Sequence, residues 1–414
     1  MGFIDRYRTF SKIKGGSGLE LKSRNADNLR MSKNLHISPI LFLLVCASCT
    51  ETLPPIQPGS GQIFAPTTPV SVTPTPVPPT PTPVPTTPTT TFLFRVGPGS
   101  DKIYRASVGA PSGALTELTP TSLTAGDAPI YAAASLDKRF LFVGKTGPKT
   151  IDTYSLNQTT GEPTFLFSTP TTTAPIKVQV EPLGRYLYSL EDGFIESYVI
   201  NANGSLSWSG ATGIVSGGRD ITFDSIGAHL YKSAIGTGMQ SYAINQSNGT
   251  LSNASTIIGQ VLNVMKIDPH TNRLYGPNYS TSTFYRFTID PSTGGIGFDN
   301  LLLPDMVAFP FYDLELNSAG TRAYSLNTQL AEVHAYSIDP TTHNFTLLNS
   351  VSLSSGCVPQ SLEIVESIGV LYTACLDNSG KTFVLKIEAD GSVSMSSSTT
   401  VSGLTAQSVL SVAF

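Results

Sequence analysis

Six ionisable side chains fall in register along an otherwise charge-poor chain: Lys177, Asp220, Lys266, Asp313, Glu315 and Glu363. Each lies 11 or 9 residues before a recurring aromatic residue, and Gln179 and Ser361 share these offsets. The flanking positions are apolar, as in Val178 and Val180 or Leu314 and Leu316, so the charges occupy one face of short strands. A carboxylate beside a cation can take a proton from water while the cation steadies an oxyanion, which is the chemistry of ester and lactone hydrolysis. Asp220 or Glu315 beside Arg219 or Lys177 is the candidate set. The same groups would equally serve as a mutually paired structural cluster, or as a site for a small polar ligand. They cannot lie unpaired in a dry core. We therefore expect them around a water-filled channel, with Arg219, Tyr312 and Gln360 near its mouth.

Other chemistries find no residues. The five histidines, His36, His229, His270, His334 and His343, show no metal-like spacing. No nucleophile elbow, phosphate loop or calcium loop is present, so neither metal nor cofactor is expected. A net charge of −4 without a basic block argues against nucleic acid.

The elements that position these residues repeat. An apolar residue followed by an aromatic ends at Phe94, Phe142, Tyr188, Tyr231, Tyr275, Tyr324 and Tyr372, at steps of 43 to 49 residues. A second strand pattern surrounds Tyr104, Tyr154, Tyr198, Tyr242, Phe287, Tyr336 and Leu385, and most copies run into a turn with Asn, Asp or Gly. A third strand begins 13 residues before the first landmark in six copies, residues 129–135, 175–181, 218–224, 262–268, 311–317 and 359–365. A seventh copy stands at the C-terminus, residues 408–414. With a short strand after each turn, residues 91–414 read as an all-β, seven-bladed β-propeller of four antiparallel strands per blade. The chain opens on the first landmark and closes on the third. The last strand should therefore pair with the first and close the ring, which removes open edges. Only 13% of residues are charged, about half the globular norm, and the helix-forming surface residues are scarce.

The stretches Glu181-Pro182-Leu183-Gly184-Arg185-Tyr186-Leu187-Tyr188 and Ser241-Tyr242-Ala243-Ile244-Asn245, running on to Gly249-Thr250-Leu251, carry a resemblance. They resemble the repeat of lactonase-type propellers, the group that includes 6-phosphogluconolactonases and YVTN-type surface repeats. The resemblance covers residues 91–414 and implies a seven-bladed ring. That family often carries His where each innermost strand begins. The matching positions here are Ile130, Ile176, Arg219, Asn263, Tyr312 and Gln360.

The N-terminal part reads as export machinery. Arg30 and Lys33 precede the apolar run Ile40 to Val45, which is too short to span a bilayer. Val45-Cys46-Ala47-Ser48-Cys49 resembles a bacterial lipobox, with Ser48 before a lipidated Cys49. Residues 1–49 are thus a cytoplasmic prefix and signal, with an ordinary secretory signal as the rival. Residues 50–90 form a linker whose thirteen prolines, Pro54 to Pro88, cannot build a core and should run as extended polyproline II. Cys357 and Cys375 would face each other if their hairpin turned at Glu366, giving a disulfide in an exported domain. A turn one residue later would favour two free thiols. Together these readings describe a lipid-anchored cell-envelope propeller that serves as a binding scaffold for a protein, glycan or small polar ligand, touching membrane through its anchor only. A lactonase-like hydrolase is the alternative.

Overall fold

The computed structural model describes residues 90–414, apart from 125, 215–216, 258, 280–282, 303–310, 355 and 378. The leader, Cys49 and the proline-rich linker lie outside the described residues. Seven sheets of four antiparallel strands are present. Their innermost strands are Pro129–Ala134, Pro175–Val180, Gly218–Phe223, Lys266–Asp268, Phe311–Leu316 and Pro359–Val365 for blades 2 to 7, and Ser408–Ala413 for blade 1. Each innermost strand contacts the next, and Ser408–Ala413 reaches round to Pro129–Ala134. The strand Thr91–Val96 pairs with Ser408–Ala413 from Thr91↔Ala413 to Val96↔Ser408. The first and last strands of the ring thus share one blade, as the phase of the repeat requires.

The core lies in the seams between blades. The second strand of each blade is covered on both faces, so its residues are apolar in succession rather than in alternation. Leu141, Phe142, Leu187, Tyr188, Leu230 and Tyr231 are fully buried. One cluster joins Phe140, Phe142 and Ile151 to Val178, Leu187 and Tyr198 of the next blade. Burying each such side chain contributes about 1.5–3 kcal/mol. At the closing seam, wholly buried Arg95 donates to Thr382 Oγ1 of blade 7 (2.9 Å) and pairs with Glu117.

Turn glycines lock neighbouring blades. Gly249 has φ +78°, and a Cβ there would come within 2.6 Å of Tyr186 Cδ1 in the preceding blade. Its N–H closes the turn onto the Asn245 carbonyl (2.7 Å), as that of His343 closes onto Asp339 (2.8 Å). His343 holds the same backbone region at φ 56°. Blade 6 therefore tolerates a side chain where blade 4 cannot.

Two local features depart from the sequence reading. The innermost strand of blade 5 was expected over residues 262–268. It narrows to Lys266–Asp268, with an isolated bridge from Leu262 to Asn278. The Val264 carbonyl dips into the space a Cβ would fill at Gly276, 2.3 Å from that position, which bows the chain away from regular pairing. The Cys357–Cys375 disulfide is present, with Cα atoms 5.2 Å apart. The hairpin nevertheless does not turn at Glu366, because Val365 pairs with Val370. A bulge between Pro359 and Ser361 takes back one residue, and the Ser354–Cys357 turn swings Cys357 toward its partner.

Replacing Gly249 by Ala should cost about 1–3 kcal/mol in urea denaturation, since both the backbone conformation and the space oppose it. His343→Gly should stay within about 1 kcal/mol of wild type. Equal losses at the two sites would refute this account of the seams.

Candidate functional site

The innermost strands enclose a cavity of about 260 Å³, lined by Tyr131, Lys177, Gln179, Lys266, Asp313, Glu315, Ser361 and Glu363 among others. These strands are sheet edges, so the backbone groups facing the axis have no ladder partner. Side chains from the preceding blade supply one. Asp220 Oδ2 accepts from the Met265 N–H of blade 5 (2.6 Å). Asp313 Oδ2 accepts from the Leu362 N–H of blade 7 (2.7 Å), and its Oδ1 from Leu314 (2.9 Å). Glu363 Oε1 accepts from both the N–H and the hydroxyl of Ser411 in blade 1 (3.0 and 2.5 Å). Ser361 Oγ accepts from Val409 N–H (3.3 Å).

Lysines complete the belt. Lys177 pairs with Asp220, donates to the Ile221 carbonyl (3.2 Å) and stands 5.7 Å from the Tyr131 ring centre. Lys266 pairs with Glu315 at 2.7 Å. Polar bridges therefore run without a break from blade 3 to blade 1. Asp220 alone touches three blades.

The balance of charge moves the carboxyls. Burial, aided by Glu315, pushes Asp313 up to about 7, although Lys266 and two backbone donors pull the other way. Burial likewise raises Glu315 and Glu363. Lys266 is burdened by burial but held up by Glu315 and Asp313. Tyr131 is raised by burial and by the surrounding carboxylates. A carboxyl that titrates near neutrality can exchange protons at working pH. Gln179 Oε1, which is buried, has no partner within the described protein.

The strand-start residues behave differently. Arg219, Tyr312 and Gln360 each sit on a bulge, between Gly218 and Asp220, Phe311 and Asp313, and Pro359 and Ser361 respectively. A bulge re-aims a side chain, and none of the three lines the cavity. The Arg219 guanidinium instead stacks 4.0 Å from the ring centre of Tyr279 in the next blade. The candidate set thus separates: Asp220 meets Lys177, Glu315 meets Lys266, and Arg219 stands apart. The histidines lie elsewhere. His229 pairs with Asp224 at 2.8 Å, His270 reaches the Ser318 carbonyl at 2.8 Å, and His334 stacks on Tyr336.

Tyr131 shares the channel-facing offset, 11 residues before Phe142, but carries no charge to mark it as a site residue; Ser411 and Tyr279 are not marked by the sequence pattern at all. Sequence reasoning also missed Glu191 and Glu196, a buried pair bound by Thr173, Thr172 and Tyr198. Burial, and Glu196 beside it, push Glu191 up to about 7. Lys145 holds the corresponding place in blade 2 with Asp152 and Asp127, and nothing in the local pattern announces the exchange. Among the described residues, no three His, Cys, Asp or Glu side chains converge as a metal site.

Asp313 is raised on folding, so its charge opposes the fold progressively as pH climbs from about 4 to about 7. Asp313→Asn should therefore gain on wild type between pH 5 and pH 8, by an amount on the order of 2 kcal/mol in urea denaturation. A pH-independent difference would show that Asp313 is not the group under load.

Residues 83–217 match the family described as lactonase, 7-bladed beta-propeller. A comparison with curated protein sequences finds no match. Among solved structures, a protein of Bacteroides fragilis provisionally assigned as a 6-phosphogluconolactonase aligns with TM-score 0.69 and 17% identity, covering 80% of this chain and 100% of its own. The periplasmic gluconolactonase of Pseudomonas aeruginosa aligns with TM-score 0.67 and 16% identity, covering 78% and 99%. A Lactobacillus plantarum protein gives TM-score 0.67 and 17% identity over 78% and 99%. At such identities the likeness is one of fold.

Proposed function

Taking the chain as a seven-bladed β-propeller of the lactonase type, we propose that it hydrolyses a sugar lactone and is displayed outside a bacterial membrane by lipid attachment at Cys49. One observation carries the enzymatic reading. The family match over residues 83–217 takes in Lys177 and Gln179 of a polar cavity in which Asp313, raised to about 7, stands with two further carboxyls and two lysines. In this reading Glu315 takes a proton from water as the water oxygen bonds to the lactone carbonyl carbon. Lys177 steadies the oxyanion. The ring C–O bond then breaks, and the proton passes to the departing ring oxygen. Glu315 suits the part better than Asp313, whose two oxygens both hold backbone N–H groups.

A binding scaffold for a protein, glycan or small polar ligand is the second reading. It is favoured by the structural duty of Asp220, Asp313 and Glu363, each of which tethers the next blade. The full chain should accelerate D-glucono-1,5-lactone or 6-phosphogluconolactone hydrolysis above the spontaneous rate. Glu315→Gln and Lys177→Met, checked for intact folding by circular dichroism, should each lower kcat/KM by about 100-fold or more. Wild-type rates indistinguishable from the uncatalysed rate would leave the scaffold reading standing.

A further inference from the structure

The charges of the belt around the cavity do not cancel. Asp313, Glu315 and Glu363 line the cavity and Asp220 pairs with Lys177 outside the lining, so four carboxyl groups of the belt stand against two ammonium groups, Lys177 and Lys266. With every group ionised the excess is two negative charges, and one shared proton still leaves an excess of one. Both lysines are already committed, Lys177 to Asp220 and Lys266 to Glu315. Apart from Lys177 and Glu315, whose proposed parts lie at the reacting carbonyl, what the wall offers a ligand is hydroxyl and amide chemistry: Ser361, Ser408 and the unpartnered Gln179 Oε1. Such groups pair with sugar hydroxyls.

We propose that this cavity takes uncharged sugar lactones and discriminates against their phosphorylated forms, an inference that rests on the hydrolase reading. A phosphate monoester brings about −1.5 to −2 charges at neutral pH. In the cavity it meets like charge, and each lysine it could reach already carries a carboxylate partner, so the charge-assisted bonds that phosphate sites use must compete with an existing pair. The other candidate cation, Arg219, lies outside the cavity wall and is stacked over Tyr279. An uncharged ring sugar escapes this repulsion and can donate its hydroxyl protons to the carboxylates and to Gln179.

Binding and turnover separate the two claims. Isothermal titration of the full chain with 1,5-anhydro-D-glucitol and with its 6-phosphate uses ring sugars that cannot be hydrolysed. The neutral sugar should bind at least tenfold more tightly, and Glu363→Gln should narrow the gap by improving the phosphate's affinity several-fold. Equal or tighter binding of the phosphate overturns the inference, as does phosphate binding that Arg219→Ala abolishes, or failure of both sugars to bind. Turnover is read in parallel with gluconolactone and 6-phosphogluconolactone. A neutral-sugar preference without turnover of either lactone keeps the selectivity and removes the hydrolase. Faster turnover of the phosphorylated lactone keeps the hydrolase and removes the selectivity.

Discussion

An innermost propeller strand is a sheet edge turned toward the axis, and its backbone donors must find partners that no further strand supplies. Here the partner is a side chain of the blade before. Asp220 holds Met265, Asp313 holds Leu362, Ser361 holds Val409 and Glu363 holds Ser411. This solution places carboxylates on the innermost strands, where burial raises Asp313 and Glu363 and lysines must offset the charge. The site's chemistry is therefore a consequence of how the ring is closed. A buried carboxyl held by backbone donors and a lysine is costly to orphan, since removing one partner of a buried pair costs about 3–5 kcal/mol.

The same belt explains why stability and function are entangled. Asp220 binds the Lys177 ammonium with one oxygen and the blade 5 backbone with the other. Glu315 is the least constrained of the four carboxyls, because its partner is the side chain of Lys266 rather than a backbone amide. Freedom from backbone duty is what singles out Glu315 for the proposed part of proton carrier, while Asp220, Asp313 and Glu363 tether the ring itself.

The fold was legible because the second strand of every blade is buried on both faces. That burial writes an apolar residue and an aromatic in succession, from Leu93 and Phe94 to Leu371 and Tyr372, all nearly solvent-free. The turn glycines were legible as punctuation, although not as contacts with the preceding blade. The channel face was legible from alternation: apolar Ile221 and Phe223 fix the phase that turns Asp220 the other way. Arg219 was not legible in the same way. A bulge after Gly218 breaks the alternation at that residue, and period-two reasoning has no means of seeing a single extra residue. The hairpin before Cys375 fails in part by the same cause, since a turn centred later is offset by one residue at the Gln360 bulge and the rest is made up by the turn that carries Cys357. The pairing of each carboxyl with a specific amide depends on the rotation between blades, which no local pattern encodes.

Hydrogen exchange at the Met265 and Leu362 amides tests the central claim most directly, followed by mass spectrometry of peptides spanning each strand. Protection should match that of interior strands in the wild type. It should fall at Met265 in Asp220→Ala and at Leu362 in Asp313→Ala, with the rest of the ring still protected. Rapid exchange of these amides in the wild type, or protection unchanged in the variants, would contradict the account.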